Sequence, residues 1–166
     1  MRLFDANFRR NSGRYMLQCV LATVVVMFVL SVLDSVLSTT IIAALGASAF
    51  IAFTMPHKPA SQPRRLVGGY AMGTLAGLVC DWLSRLPLWS GVPLVHQSAQ
   101  TVFGALAVGL AIFLMVVTDT EHPPAAGLAL GYVLNEVTFL TVVVVFLGII
   151  LLTGTKTVLR SVLIDL

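Results

Sequence analysis

Long uncharged apolar runs, separated by short polar breaks, set the pattern of this chain. Tyr15 to Leu33 is a run of 19 residues broken only by Gln18, and Asp34-Ser35 ends it at an interface. Val36 to Met55 adds 20 uncharged residues. Leu66 to Cys80 continues through Asp81 and Trp82 to Leu86. Ala99 to Thr118 is another run of 20, and Val137 to Thr155 is the last, with 19. About 20 residues cross the hydrocarbon core of a bilayer as a helix, so the runs predict membrane-embedded helices. Pro123 to Leu134 holds only 12 uncharged residues, and Asn135-Glu136 ends it. A helix of that length covers ~18 Å of a ~30 Å core. It is either a short or broken crossing or a re-entrant half-helix. Six embedded helices with a short fifth are favoured over five crossings and a half-helix. Glu136 then faces the protein interior or an interface. The fold class is therefore all-α: a polytopic helical membrane protein with four long spans plus one or two shorter or broken helices.

Two of the breaks echo each other. Thr54-Met55-Pro56-His57-Lys58-Pro59-Ala60 and Asp119-Thr120-Glu121-His122-Pro123-Pro124-Ala125 both read His-x-Pro-Ala, with the histidines 65 residues apart. Each follows an apolar run and leads to a Gly-Tyr pair, Gly69-Tyr70 and Gly131-Tyr132. By the span count both breaks fall on one side, so the chain carries a candidate parallel internal repeat, with a polar site near the breaks. Prolines cannot continue a helix but can start one, leaving free N–H groups that attract anions. His57 and His122 add donors that gain charge near neutral pH. Lys58, Arg64 and Arg65 add fixed positive charge. Asp119 and Glu121 oppose an anion but are placed to hold His122 protonated. The candidate substrate-binding residues are His57, Lys58, Arg64, His122, Pro123 and Pro124. Ordinary turn chemistry in two loops is the competing reading.

Composition agrees with the pattern. The 166 residues are 58% hydrophobic and 10% charged, where a soluble domain has about 25% charged. Mean hydropathy is +0.97. Such a chain cannot cover itself with polar surface in water, so its partner is the lipid bilayer. The net charge of +3 is no nucleic-acid signal; where the cations sit matters more. Arg2, Arg9, Arg10 and Arg14 predict a cytoplasmic, amphipathic N-terminal stub over 1–14, ahead of a transmembrane domain over 15–155 and a C-terminal tail over 156–166. Lys58, Arg64 and Arg65 place the first break on the cytoplasmic side. If residues 123–134 cross, Lys156 and Arg160 are cytoplasmic too. Trp82 and Trp89 suit an outer aromatic belt. Residues 87–98 read as the outer loop, with His96 solvated. Asp81 and Arg85 are spaced to pair on a helix.

Gly69, Gly73 and Gly77 form a small-residue stripe for a tight helix contact, and Leu45 to Ala49 supplies a further small-residue face. The stripe serves an internal contact or a homo-oligomer. Cys19 and Cys80 read as packing residues. No nucleophile–base pair or metal-ligand spacing is present, so neither an enzyme nor a cofactor or metal protein is expected.

The sequence resembles the HPP family of integral membrane proteins. Glu121-His122-Pro123-Pro124-Ala125 carries the resemblance, reinforced by Pro56-His57-x-Pro59-x-x-Gln62-Pro63-Arg64-x-x-Val67-Gly68-Gly69. It covers roughly residues 15–155. The family is described as four-spanning and transporting, and some chloroplast and cyanobacterial relatives are linked to nitrite transport. The resemblance thus implies a transporter or channel for a small inorganic anion, with nitrite the leading candidate, in a bacterial inner membrane. A membrane scaffold or sensor without transport is the alternative. The chain departs from the family pattern at Lys58 (commonly Ser), at Tyr70 (commonly His) and at Ala126-Gly127-Leu128 (commonly Gly-Ala-Thr). These departures remove polar groups at positions 70 and 128.

Overall fold

The helices start and stop where the polar breaks and prolines require. The structure is a computed structural model that describes residues 8–33, 39–91 and 98–166. Helix α1 spans Phe8–Leu33, α2 Thr39–Thr54, α3 Pro63–Ser84, α4 Ala99–Val117, α5 Pro123–Leu134 and α6 Phe139–Leu159.

 The last of these, α6, closes at Leu159, and Arg160 follows as its cap. Short 3-10 turns cover Pro59–Ser61 and Pro87–Gly91. Among the described residues the fold is entirely helical. Residues 1–7 of the N-terminal stub, Asp34-Ser35 and His96 lie outside the described residues.

Of the expected four long spans, three are found: among the described residues α3, α4 and α6 are long and apolar enough to cross a membrane. The 36–55 run gives only the 16-residue α2, described from Thr39. Helix α3 is instead continuous for 22 residues, because Asp81 does not interrupt it. Asp81 accepts from Arg85 one turn on, at 2.9–3.1 Å, as the spacing predicted. Helix α1 departs from helical geometry at Asn11. The segment after residue 155 is helical to Leu159, and beyond it Leu163 is buried against the bundle.

Small residues set the closest contact in the bundle. Along α3, Gly69, Gly73 and Gly77 lie against His122, Ala125 and Ala129 in the same order, so α3 and α5 run parallel. A Cβ on Gly73 would collide with the Ala125 carbonyl oxygen, and one on Gly77 would stand 2.9 Å from that of Ala129. Only glycine permits this approach of backbone to backbone. The stripe is therefore spent on an internal contact. Helix α4 packs against both, with Gly104 against Leu130, and α2 runs opposite to α5, with Thr40 beside Gly131 and Ser48 beside His122.

The parallel pairing resolves the short helix. Gly69 is six residues into α3, so His122 is set about 9 Å below the start of α3. Helix α5 thus begins recessed, and its 12 residues still reach the opposite end of the bundle. There Asn135 and Glu136 share a cavity with Asp81 and Arg85. Thr138 caps α6 through a reciprocal capping box with Thr141. At the other end of α6, Lys156 donates to the Ser61 carbonyl in the first break. Both breaks and the end of α6 therefore share one end of the bundle.

Outward faces stay apolar, with Phe113, Val117, Phe139 and Val158 all exposed, as a lipid solvent requires. Polar Gln18, within the first apolar run, is 2% exposed. Its Nε2 donates to the Phe53 and Ile164 carbonyls at 2.8 Å, and its Oε1 accepts from the Ile164 N–H at 3.2 Å. That ties α1 to the end of α2 and to the C-terminal segment.

Gly73→Ala should lower stability by about 1–3 kcal/mol through overpacking of α3 on α5. Gly109→Ala, where nothing lies within 4 Å of the new methyl, should be close to neutral. Thermal unfolding in detergent of the two variants checks the contrast.

Candidate functional site

The second break is shaped by how α4 ends. Asp119 adopts φ 52°, a left-handed conformation that Asp tolerates better than most residues. Asp119 N–H reaches the Val116 carbonyl at 3.3 Å and Thr120 N–H the Met115 carbonyl at 2.9 Å. This is a Schellman closure with Asp at the usual glycine position. Two arginines on the first turn of α3 then hold the break. Arg64 Nη2 donates to the Thr118 carbonyl at 2.9 Å. Arg65 meets Asp119 at 2.6 Å and Glu121 at 3.0 Å.

That pairing overturns one expectation. Asp119 and Glu121 do not hold His122 protonated, because Arg65 takes both carboxylates. His122 turns the other way and is fully buried. Its Nε2 lies 2.8 Å from Ser48 Oγ, which in turn lies 2.9 Å from Tyr70 Oη. The Tyr70 and His122 rings meet at 5.7 Å with a 40° tilt. Ser48 Oγ also donates to the Ala44 carbonyl at 3.0 Å. One hydroxyl proton can serve only one acceptor at a time. With Ser48 donating to Ala44, Tyr70 and His122 become the donors to Ser48. Tyr70 therefore supplies a polar group here, contrary to the loss expected at that position, whereas Leu128 is part of the apolar core.

The polar groups continue along the α3–α5 seam. Thr74 lies one turn beyond Tyr70, and its Oγ1 faces Tyr132 Oη without a hydrogen bond of good geometry. His122 Nδ1 also lacks a hydrogen-bond partner among the described residues. Ser48, Tyr70, Thr74, His122 and Tyr132 thus form a buried row without fixed charge. His122 itself stands in the connection between α4 and α5.

The six sequence candidates separate. His57, Lys58 and Arg64 line a cavity of about 260 Å³ at the first break, joined by Lys156 and Arg160. His57 and Lys58 are exposed and approach Asp165 at 3.7 and 3.9 Å. His122 and Pro124 are buried, and Pro123 is exposed beside Glu121 in a separate, mostly apolar cavity. The two histidines of the repeat are therefore not equivalent. Nor does the start of α5 offer the expected ring of N–H groups. Pro123 and Pro124 have none, and Ala125 N–H already bonds the His122 carbonyl at 2.9 Å.

Sequence reasoning missed Ser48, Thr74, Lys156 and Arg160 as site residues. Ser48 was hidden in a small-residue run, and the two cations read only as topology signals. Tyr70 and Tyr132 were visible as flanks of the repeat.

Residues 9–163 match the HPP transmembrane region, and the chain belongs to the HPP transmembrane family. It is similar to two transmembrane proteins of Dictyostelium discoideum. One is 37% identical over 91 residues, covering 54% of this chain and 28% of the relative. The other is 36% identical over 96 residues, covering 57% and 28%. The match thus spans less than a third of each relative's length. No solved structure matches the chain.

Proposed function

We propose that this member of the HPP transmembrane family carries a small inorganic anion across a membrane, with nitrite the leading candidate. The observation that supports this reading is the buried row of Ser48, Tyr70, Thr74, His122 and Tyr132, in which three polar atoms make no good hydrogen bond among the described residues. Unsatisfied polar groups are costly inside a bundle bathed in lipid, and such groups mark pathways. The unpartnered Thr74 and Tyr132 hydroxyls are uncharged donors that suit a small anion, because they bind it weakly enough to let it leave, whereas the His122 N–H is engaged by Ser48.

Charge at the two ends of the seam fits the same reading. The end with the breaks carries Lys58, Arg64, Arg65, Lys156 and Arg160 against Asp119, Glu121 and Asp165. The far end carries Arg85 against Asp81 and Glu136. Cations at one end, His57 beside them, would concentrate an anion at the mouth. By the positive-inside tendency that end is cytoplasmic. All six helices then traverse the bilayer, the short α5 completed by the recessed break before it. Transport rather than catalysis is the role assigned.

Uptake of nitrite into proteoliposomes tests the proposal. His122→Gln and Tyr70→Phe should each reduce flux about tenfold, a barrier increase of ~1.4 kcal/mol, while unfolding temperature shows that the variants are intact. His57→Ala, remote from the seam, should reduce it much less. No flux of nitrite, nitrate or formate would overturn the reading and favour a scaffold or sensor.

A further inference from the structure

We propose that the cavity between the first break and the end of α6 binds a phosphate group. It is lined by His57, Lys58, Gln62, Arg64, Lys156 and Arg160. This goes beyond the transport reading, since the cavity lies apart from the buried seam.

Lys156 carries the argument. Its side chain is 3% exposed, yet its one hydrogen bond is to a neutral acceptor, the Ser61 carbonyl, at 2.9 Å. An ammonium has three N–H donors, so two are left to spend. No carboxylate among the described residues lies within 4 Å of it. Arg64 gives a hydrogen bond to a neutral carbonyl too, that of Thr118, and Arg160 has no ion pair among the described residues. Asp165 is already shared between His57 and Lys58. Three cations therefore border one small cavity without a carboxylate in contact. Asp165 acts on Lys156 only at longer range, its carboxylate being engaged by His57 and Lys58, so an anion in the cavity would offset the cost of burying the ammonium.

The match is to a phosphate group. Free or as a lipid diester, it presents at least two non-bridging acceptor oxygens to two guanidinium groups and an ammonium at once. It could arrive as free phosphate or as the headgroup of an anionic lipid, because the cavity lies at an end of the bundle. Ser61 adds rigidity, its hydroxyl bonding the Pro56 and Lys58 carbonyls at 2.9 and 3.1 Å. A ligand here would join the first break to the end of α6.

The full chain in a nonionic detergent is titrated with inorganic phosphate, against chloride at equal ionic strength, and unfolding temperature is read. A saturating rise of about 2–4 °C is expected with phosphate alone. Lys156→Met and Arg160→Gln should each reduce it. Arg160 is exposed, so its variant keeps the test readable if Lys156→Met does not fold. In a second arm, vesicles of phosphatidylcholine with and without phosphatidylglycerol replace detergent. Stabilisation by phosphatidylglycerol alone, lost in Arg160→Gln, supports the site and assigns it to a lipid. Equal shifts with phosphate and chloride, insensitivity to Arg160→Gln, or no shift in either arm would overturn it. Neither arm reads flux, so this outcome and that of the transport test stand separately.

Discussion

Backbone contact between α3 and α5 is the constraint on which the rest of the structure depends. Gly73 and Gly77 let the Ala125 and Ala129 carbonyls approach α3 directly. Lipid offers no hydrophobic drive for helices to associate, so this close packing supplies much of the attraction. It also sets a register. With Gly69 against His122, the second break is drawn below the start of α3, and a 12-residue helix reaches the far end of the bundle. Had α5 begun level with α3, it would have ended about 9 Å short of the point it reaches.

The register decides which polar groups meet. His122 leaves the break for the interior, where α2 presents Ser48 and α3 presents Tyr70. The acidic residues of the same break stay at the end of the bundle and pair with Arg65. One short segment is thereby sorted into a charged outer part and a neutral inner part. Fixed charges remain where they can be paired or hydrated, and only uncharged donors enter the seam. The first break has no equivalent of this descent. Its histidine stays exposed, because the 3-10 turn Pro59–Ser61 lies between His57 and the start of α3.

Much of the fold was legible in the chain. Run lengths predicted membrane helices, and the prolines marked the starts of α3 and α5. Asp81 and Arg85 pair as their spacing required. The glycine stripe announced a tight contact, although not which helix would fill it. Ser48 could not be recognised as a site residue, since its role comes from α3 and the second break, 22 and 74 positions away. Lys156 read as a topology signal, because its burial comes from the first break, 95 positions away.

The sequence by itself determined the solvent, the helical class and the places where helices stop, because these depend on local composition, run length and proline. It also determined the family, through the His-Pro-Pro motif and its partner break. Only the tertiary structure decided that His122 is buried while His57 is exposed, and that the two halves of an apparent repeat stand in different surroundings. Burial and pairing depend on which helix faces which. That choice was made by backbone contacts at three glycines, whose consequences no local pattern around either histidine contains.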